Sequence, residues 1–112
     1  MAKVSTRTYS RYTLEALQLL GSLIRAGRKE RGMTAQALAE RAGISRGLLQ
    51  RIEKGDPGCE LGATLEAASI VGVRLFDADL DTLSHQVRET RERLALLPAA
   101  IRRKPGSVND DF

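Results

Sequence analysis

The stretch Thr34–Gly55, TAQALAERAGISRGLLQRIEKG, decides the fold, because its pattern predicts two short helices joined by a tight turn. Apolar residues recur at helical spacing and predict an inward face on each helix; they are Leu38, Ala39, Ala42, Ile44, Leu49 and Ile52. The residues left to point outward are polar or basic, namely Gln36, Arg46, Gln50 and Arg51. A buried elbow with a polar, basic outer helix is a shape that the major groove of DNA accepts.

Each of the two predicted helices has its own start and stop signals. Thr34 is placed to cap a helix over residues 35–42, and Ser45 is placed to cap a second over residues 46–54. A glycine follows each helix, at Gly43 and Gly55, where a left-handed backbone ends the helix at no steric cost. An ordinary helical hairpin inside a bundle is the alternative that the same signals permit.

The segment Leu23–Phe76 resembles the helix-turn-helix domain of the Xre family, the Cro and lambda repressor type. The matching stretches read LIRAGRKERGMT, LAERAGIS and RGLLQRIEKG. The expected fold is therefore all-α, a lambda-repressor-like bundle of four or five helices with a C-terminal amphipathic helix. The resemblance makes the helix after Ser45 the recognition helix. The residues expected to bind DNA are Thr34, Gln36, Ser45, Arg46, Gly47, Gln50 and Arg51.

Arg46 and Arg51 are the leading candidates for reading base edges. Arginine presents a planar fork that matches O6 and N7 of guanine, and glutamine pairs with adenine or donates to a phosphate. The family commonly has Gln directly after the capping Thr, whereas this chain has Ala35 there and Gln36 one place later. Leu48 is expected to pack against the neighbouring helix, although contact with a thymine methyl group is the alternative.

Arg28 and Glu53 match positions that form a buried structural salt bridge in the resembled family. The resemblance therefore makes this pair part of the scaffold, linking the first helix to the recognition helix. Loss of DNA binding in a variant of either residue would not by itself demonstrate a DNA contact.

Composition agrees with a small helical protein that binds a polyanion. The 112 residues are 42% hydrophobic and contain no Trp, so we expect a core of Leu, Ile, Val and Ala. Residues 1–58 hold 11 Lys and Arg against 5 Asp and Glu, a net charge of +6, whereas residues 59–112 hold 7 against 9, a net of −2. The positive charge lies with the predicted helix-turn-helix.

We divide the chain into four segments. Residues 1–12 are expected to be a flexible basic tail, whose Lys3, Arg7 and Arg11 either reach along DNA or are simply solvated. Residues 13–76 form the DNA-binding domain, residues 77–101 a C-terminal amphipathic helix, and residues 102–112 a flexible C-terminal tail.

Two further helices are predicted around the central pair. The first begins near Thr13 and ends near Arg31, with an inward stripe of Leu14, Leu17, Leu20, Leu23 and Ile24. Another spans about Leu61 to Val71, with Leu61, Leu65, Ala68 and Val71 facing the core.

The C-terminal amphipathic helix carries a heptad pattern. Residues at alternating spacings of three and four form its seam: Leu80, Leu83, Val87, Thr90, Leu94, Leu97 and Ile101. Pro98 limits the seam to about three heptads. We expect Leu80, Leu83, Val87, Leu94 and Leu97 to pair two protomers, since proteins of this class commonly bind paired half-sites. The alternative is that the helix completes the core of a monomer.

The end of the chain resembles small regulators encoded beside HipA-type kinase toxins, the HipB-like antitoxins. The resemblance rests on the Xre-type domain followed by LALLPAAIRRK and an acidic end, VNDDF. It implies a HipA-type kinase toxin as partner, with Val108–Phe112 as its contact. An Xre repressor without a toxin is the competing interpretation.

Nothing in the sequence indicates an enzyme, a metal site or a cofactor. The lone His85 and lone Cys59 have no companions at metal-ligand spacing, and no phosphate loop or catalytic triad is present. No apolar run indicates a secretion signal or a membrane span, so a cytoplasmic location is expected. The sequence predicts a dimeric, sequence-specific repressor that binds a double-stranded DNA operator; the alternative is a protein-interaction module of the same fold.

Overall fold

The computed structural model describes residues 8–101 as an all-helical protein. Its helices are α1 (Arg11–Glu30), α2 (Ala35–Ala42), α3 (Arg46–Glu53), α4 (Leu61–Ile70) and α5 (Leu80–Ala95), with a 3-10 turn at Leu75–Asp77. No strand occurs in this part of the chain, and the predicted all-α fold class is confirmed. The described residues divide into two compact units between Leu75 and Phe76, so that α1–α4 belong to the first and α5 to the second. The predictions for Lys3, Arg7, residues 102–112 and the Val108–Phe112 contact lie outside the described residues.

The helix boundaries follow the capping residues closely. Helices α2 and α3 begin where predicted, after Thr34 and Ser45, and Gly43 has a left-handed backbone with φ of 71°. Helix α1 begins at Arg11, two residues before the predicted start at Thr13. Ser10 accounts for the difference, because its hydroxyl accepts a hydrogen bond from the Thr13 N–H at 3.2 Å and so caps the helix.

The core of the first unit gathers apolar residues from all four of its helices. Ile24, Leu38 and Leu49 are its largest fully buried side chains. The predicted stripe on α1 is wrong at Leu14 and Leu23, which are 41% and 45% exposed. Ile24 is buried as predicted, and the rest of the buried face of α1 consists of Gly21, Gly27 and Arg28. At the two glycines the neighbouring backbone approaches too closely for a larger side chain.

The predicted inward face of α4 is also partly wrong. Leu61 and Leu65 are 69% and 36% exposed. The buried residues of α4 are small ones, Ala63, Thr64, Ala67 and Ala68, and Val71, just past its end, is buried as predicted. This helix packs against α1, α2 and α3 together, and close packing on three sides favours short side chains.

The second unit consists of α5 and the turn before it. The Asp79 carboxylate caps α5 by accepting a hydrogen bond from the Thr82 N–H at 2.9 Å. Helix α5 contains no buried residue. An open groove of about 360 Å³ runs along it, lined by Phe76, Leu83, Gln86, Val87, Thr90 and Arg91. None of the helices over residues 8–101 is both long enough and apolar enough to cross a membrane.

Candidate nucleic-acid interface

Hydrogen bonds fix the turn that joins α2 to α3. The Ile44 N–H donates to the Ala39 carbonyl at 2.9 Å, and the Gly43 N–H donates to the Glu40 carbonyl at 3.2 Å. These two bonds form the Schellman ending that a left-handed glycine permits. The Ser45 hydroxyl then accepts a hydrogen bond from the Leu48 N–H at 3.0 Å, which starts α3. The turn therefore fixes the direction in which α3 leaves α2.

Helix α3 has one buried face and one exposed face. Leu49 and Ile52 are buried, and Leu48 packs against the same core, as predicted for that residue. Five of the seven residues predicted to contact DNA are exposed at the start of α3 or along it: Ser45, Arg46, Gly47, Gln50 and Arg51. The fold thus brings these five residues together on a single short helix and its N-cap.

Arg46 and Arg51 differ in what their side chains contact. Within residues 8–101 the Arg46 guanidinium makes no hydrogen bond or ion pair. The Arg51 Nε donates to Oδ2 of Asp56 at 2.9 Å. This hydrogen bond raises the pKa of Arg51 and holds the pKa of the Asp56 carboxyl below its usual range. Asp56 is a neighbour of the predicted site that the sequence did not reveal.

The two residues at the start of α2 that are predicted to contact DNA, Thr34 and Gln36, already form hydrogen bonds within the protein. The Thr34 hydroxyl accepts a hydrogen bond from the Ala37 N–H at 3.0 Å. The Gln36 Nε2 donates to Oε2 of Glu40 at 3.0 Å. Both residues are exposed. The Gln36 side chain is bound to the carboxylate of Glu40, which lies one turn further along α2.

Arg28 and Glu53 form a buried ion pair that joins α1 to the end of α3. The Arg28 Nε and Nη2 donate to the two Glu53 carboxylate oxygens at 2.8 Å and 3.0 Å, and Nη1 donates to the Met33 carbonyl at 3.0 Å. The two side chains are only 10% and 7% exposed. Hydrogen bonding to Glu53 raises the pKa of Arg28. The salt bridge that the resemblance implied is therefore present in the structure, as a scaffold contact away from the exposed face of α3.

Two further contacts hold the end of α3 against α1, and sequence reasoning missed both. A Cβ atom on Gly21 would lie 2.5 Å from the Ile52 carbonyl oxygen and 2.7 Å from that of Glu53. The Gln18 Nε2 donates to the Lys54 carbonyl at 3.0 Å. A glycine in the middle of a helical pattern was the available signal for such a close approach.

The lone cysteine and the lone histidine, Cys59 and His85, show no sign of a reactive or metal-binding site. Burial raises the pKa of the half-buried Cys59 thiol, which disfavours the reactive thiolate. His85 lies on α5, with its Nε2 atom 3.4 Å from a Glu89 carboxylate oxygen. No group of acidic, histidine or cysteine side chains within residues 8–101 is arranged to hold a metal ion.

Two helices joined by a tight turn, the second with an exposed basic face, are the arrangement of the helix-turn-helix class of DNA-binding domains. Residues 19–83 match the model of the helix-turn-helix domain family, and the chain belongs to that family. No curated protein and no solved structure matches the chain.

Proposed function

We propose that the protein is a sequence-specific transcriptional regulator, a repressor that reads the major groove with the exposed face of α3. The observation that carries this proposal is the placement of Arg46, Gly47, Gln50 and Arg51 on one exposed face of a helix whose other face is locked into the core. A short helix fixed in this way can enter the groove as a rigid element, so its backbone need not be ordered on binding.

Arg46 is the base reader that the contacts favour most. It is the first residue of α3, and the N-terminal residues of a recognition helix are those that reach base edges. Its guanidinium has no competing partner within the described part of the chain. A bidentate contact with guanine contributes about 1–3 kcal/mol of discrimination against the wrong base. Gln50, one turn further along the same helix, is proposed to contact an adenine or a phosphate.

The proposal is tested by mobility shift with the DNA upstream of the protein's own gene and an unrelated duplex of equal length. We expect selective retention of the upstream DNA and weaker binding as salt rises, because phosphate contacts release counterions. Arg46→Ala should reduce the preference roughly tenfold or more, within the range for a bidentate contact. Arg25→Ala, which removes the same charge from an exposed position of α1, is the matched control and should preserve the preference. Equal weak binding of both duplexes by the unaltered protein would favour a protein-interaction module instead.

We also propose that α5 pairs two protomers. The support is the exposure of its apolar seam: Leu80, Val87 and Leu94 are 75%, 46% and 60% exposed, and Leu83 is half-buried. Leu97, which was also predicted to pair the protomers, lies beyond the end of α5 and is 56% exposed. Helix α5 ends at Ala95, so the seam occupies only 16 helical residues. A dimer would place two recognition helices on half-sites about 34 Å apart along DNA.

Sedimentation at several concentrations tests the dimer. Leu94→Glu should shift the protein toward monomer, since it places a charge in the seam. Thr82→Glu adds the same charge on an exposed residue outside the seam and should leave association unchanged. A monomer at every concentration, or a dimer unaffected by Leu94→Glu, would contradict this role of α5.

The finer role of antitoxin rests on the sequence resemblance of the C-terminal segment alone. Under that proposal the protein represses its own operon, binds a HipA-type kinase toxin and carries out no catalysis itself. A cytoplasmic location follows from this proposal. Co-purification of the full chain with the product of a neighbouring kinase gene, compared with a chain lacking Val108–Phe112, tests the toxin contact.

A further inference from the structure

Helix α3 ends differently from the other helices of the first unit. Helices α1–α4 each end on a glycine with positive φ, and the next residue donates its N–H to the carbonyl five positions earlier. That next residue is apolar and packs against the core in three cases, Met33, Ile44 and Val73. After α3 it is Asp56. An apolar contact at this position is the usual companion of the motif, so the aspartate is the exception that calls for an explanation.

The helix ending itself brings Asp56 to Arg51. The Asp56 N–H donates to the Arg51 carbonyl at 3.0 Å, so the two residues are joined through their backbones. Their side chains are joined as well, because the Arg51 Nε donates to Oδ2 of Asp56 at 2.9 Å. The other carboxylate oxygen, Oδ1, accepts a hydrogen bond from the Gly58 N–H at 2.7 Å. The loop backbone therefore holds the carboxylate at Oδ1, which leaves Oδ2 to accept the hydrogen bond from the arginine.

The pair leaves the outer end of the guanidinium available. Arg51 is 53% exposed, and its Nη1 and Nη2 make no hydrogen bond within residues 8–101. Holding an arginine at Nε restricts its rotamers in the free protein, so that less order is lost when it binds. The adjacent negative charge also disfavours a stray contact with a phosphate, which is how specific sites reject the wrong partner.

We infer that Asp56 is a positioning residue that holds Arg51 for contact with one base pair through Nη1 and Nη2. The inference rests on the proposed function of α3 as the DNA-reading helix. It assigns to Asp56 an effect on sequence selectivity that is separate from affinity: without its charge the protein binds DNA in general more tightly and discriminates less.

The test uses the full chain and a duplex that the unaltered protein enriches from a randomised pool. Binding is then measured to that duplex and to a set of its single base-pair substitutions. Asp56→Asn keeps an oxygen for the Gly58 N–H but removes the charge. Glu66→Gln is the matched control, since Glu66 is exposed on α4 and has no partner within the described residues. Arg51→Ala and the double variant complete the cycle.

We expect Asp56→Asn to lower discrimination about fivefold, the upper end for an exposed ion pair, at the same base pair where Arg51→Ala abolishes it. Binding to unrelated DNA should rise in both Asp56→Asn and Glu66→Gln, whereas Glu66→Gln should keep the discrimination. In the Arg51→Ala background Asp56→Asn should change nothing at that base pair. A purely structural role would instead lower the binding of all duplexes together.

Unchanged discrimination in Asp56→Asn would overturn the inference and leave the proposed function standing. An equal loss with and without Arg51 would also overturn it, since Asp56 would then act by another route. If the unaltered protein enriches no duplex from the pool, the proposed function fails and this inference fails with it.

Discussion

Gly21→Ala gives the sharpest test of how α1 holds α3. An exposed Gly→Ala change inside a helix stabilises a protein by about 1 kcal/mol from propensity alone. At position 21 the new Cβ would lie 2.5 Å from the Ile52 carbonyl oxygen, whereas ordinary contact begins at 3.4 Å. The contacted atoms belong to the backbone, so α1 and the end of α3 must separate by about 0.9 Å at this point. Overpacking of this kind costs about 1–3 kcal/mol and occasionally more.

We therefore expect Gly21→Ala to lower the free energy of unfolding by about 2 kcal/mol, against the sign that propensity predicts. With a urea m-value of about 1 kcal/mol/M, the midpoint followed by far-ultraviolet circular dichroism should fall by roughly 2 M. Gly62→Ala is the control, because that glycine is also helical and a Cβ there would meet nothing within 4 Å. A midpoint that rises in both variants would refute the close approach of α1 and α3.

Three other predictions concern the same scaffold. Glu53→Gln should lower the free energy of unfolding in urea by about 3–5 kcal/mol, because it leaves the Arg28 charge buried without its partner. The double change Arg28→Met with Glu53→Leu should lower it less than Glu53→Gln does. An equal or greater loss in the double variant would contradict the burial of the pair. Gly43→Ala should lower the free energy of unfolding by about 1 kcal/mol, because φ is +71°, a conformation that alanine disfavours. An added Cβ would meet no atom within 4 Å, so steric contact would not contribute to this loss. An unchanged free energy of unfolding would contradict the left-handed turn. The pKa of Asp56 in the folded protein lies below its ordinary value. The ionised carboxylate therefore stabilises the fold fully above the ordinary aspartate pKa, and this contribution is lost as the pH falls through the lowered folded pKa. The difference in urea midpoint between the unaltered protein and Asp56→Asn should shrink over that acid range, and a constant difference would contradict the ion pair.

The elements of the first unit were largely predictable because their boundaries are local. Thr34, Ser45, Gly43 and Gly55 act on the backbone within a few residues of themselves, so their effect on α2 and α3 can be read along the chain. The exposed face of α3 follows from the same helical spacing. Ser10 is a start signal of the same local kind, and it places the beginning of α1 two residues before the predicted one.

The features that the sequence did not reveal depend on contacts between distant segments. Helical spacing fits four leucines that are in fact exposed, namely Leu14, Leu23, Leu61 and Leu65. Where neighbouring helices approach closely, most of the buried positions are glycine or alanine. Periodicity alone does not report how near a neighbouring helix lies.

The Arg51–Asp56 contact was missed for a related reason. Asp56 follows a glycine and precedes a proline, which indicates a turn but not the partner of its carboxylate. Only the geometry of the helix ending shows that residues 51 and 56 meet.

The most direct measurement of the central claim is the change in backbone amide chemical shifts when the ¹⁵N-labelled protein is titrated with the duplex it enriches from a randomised pool. We predict that the largest changes fall on residues 45–51, with smaller changes at the start of α2 and little change on the exposed face of α4. Large changes confined to other helices, with the amides of α3 unmoved at saturation, would contradict the account of α3 as the helix that reads DNA.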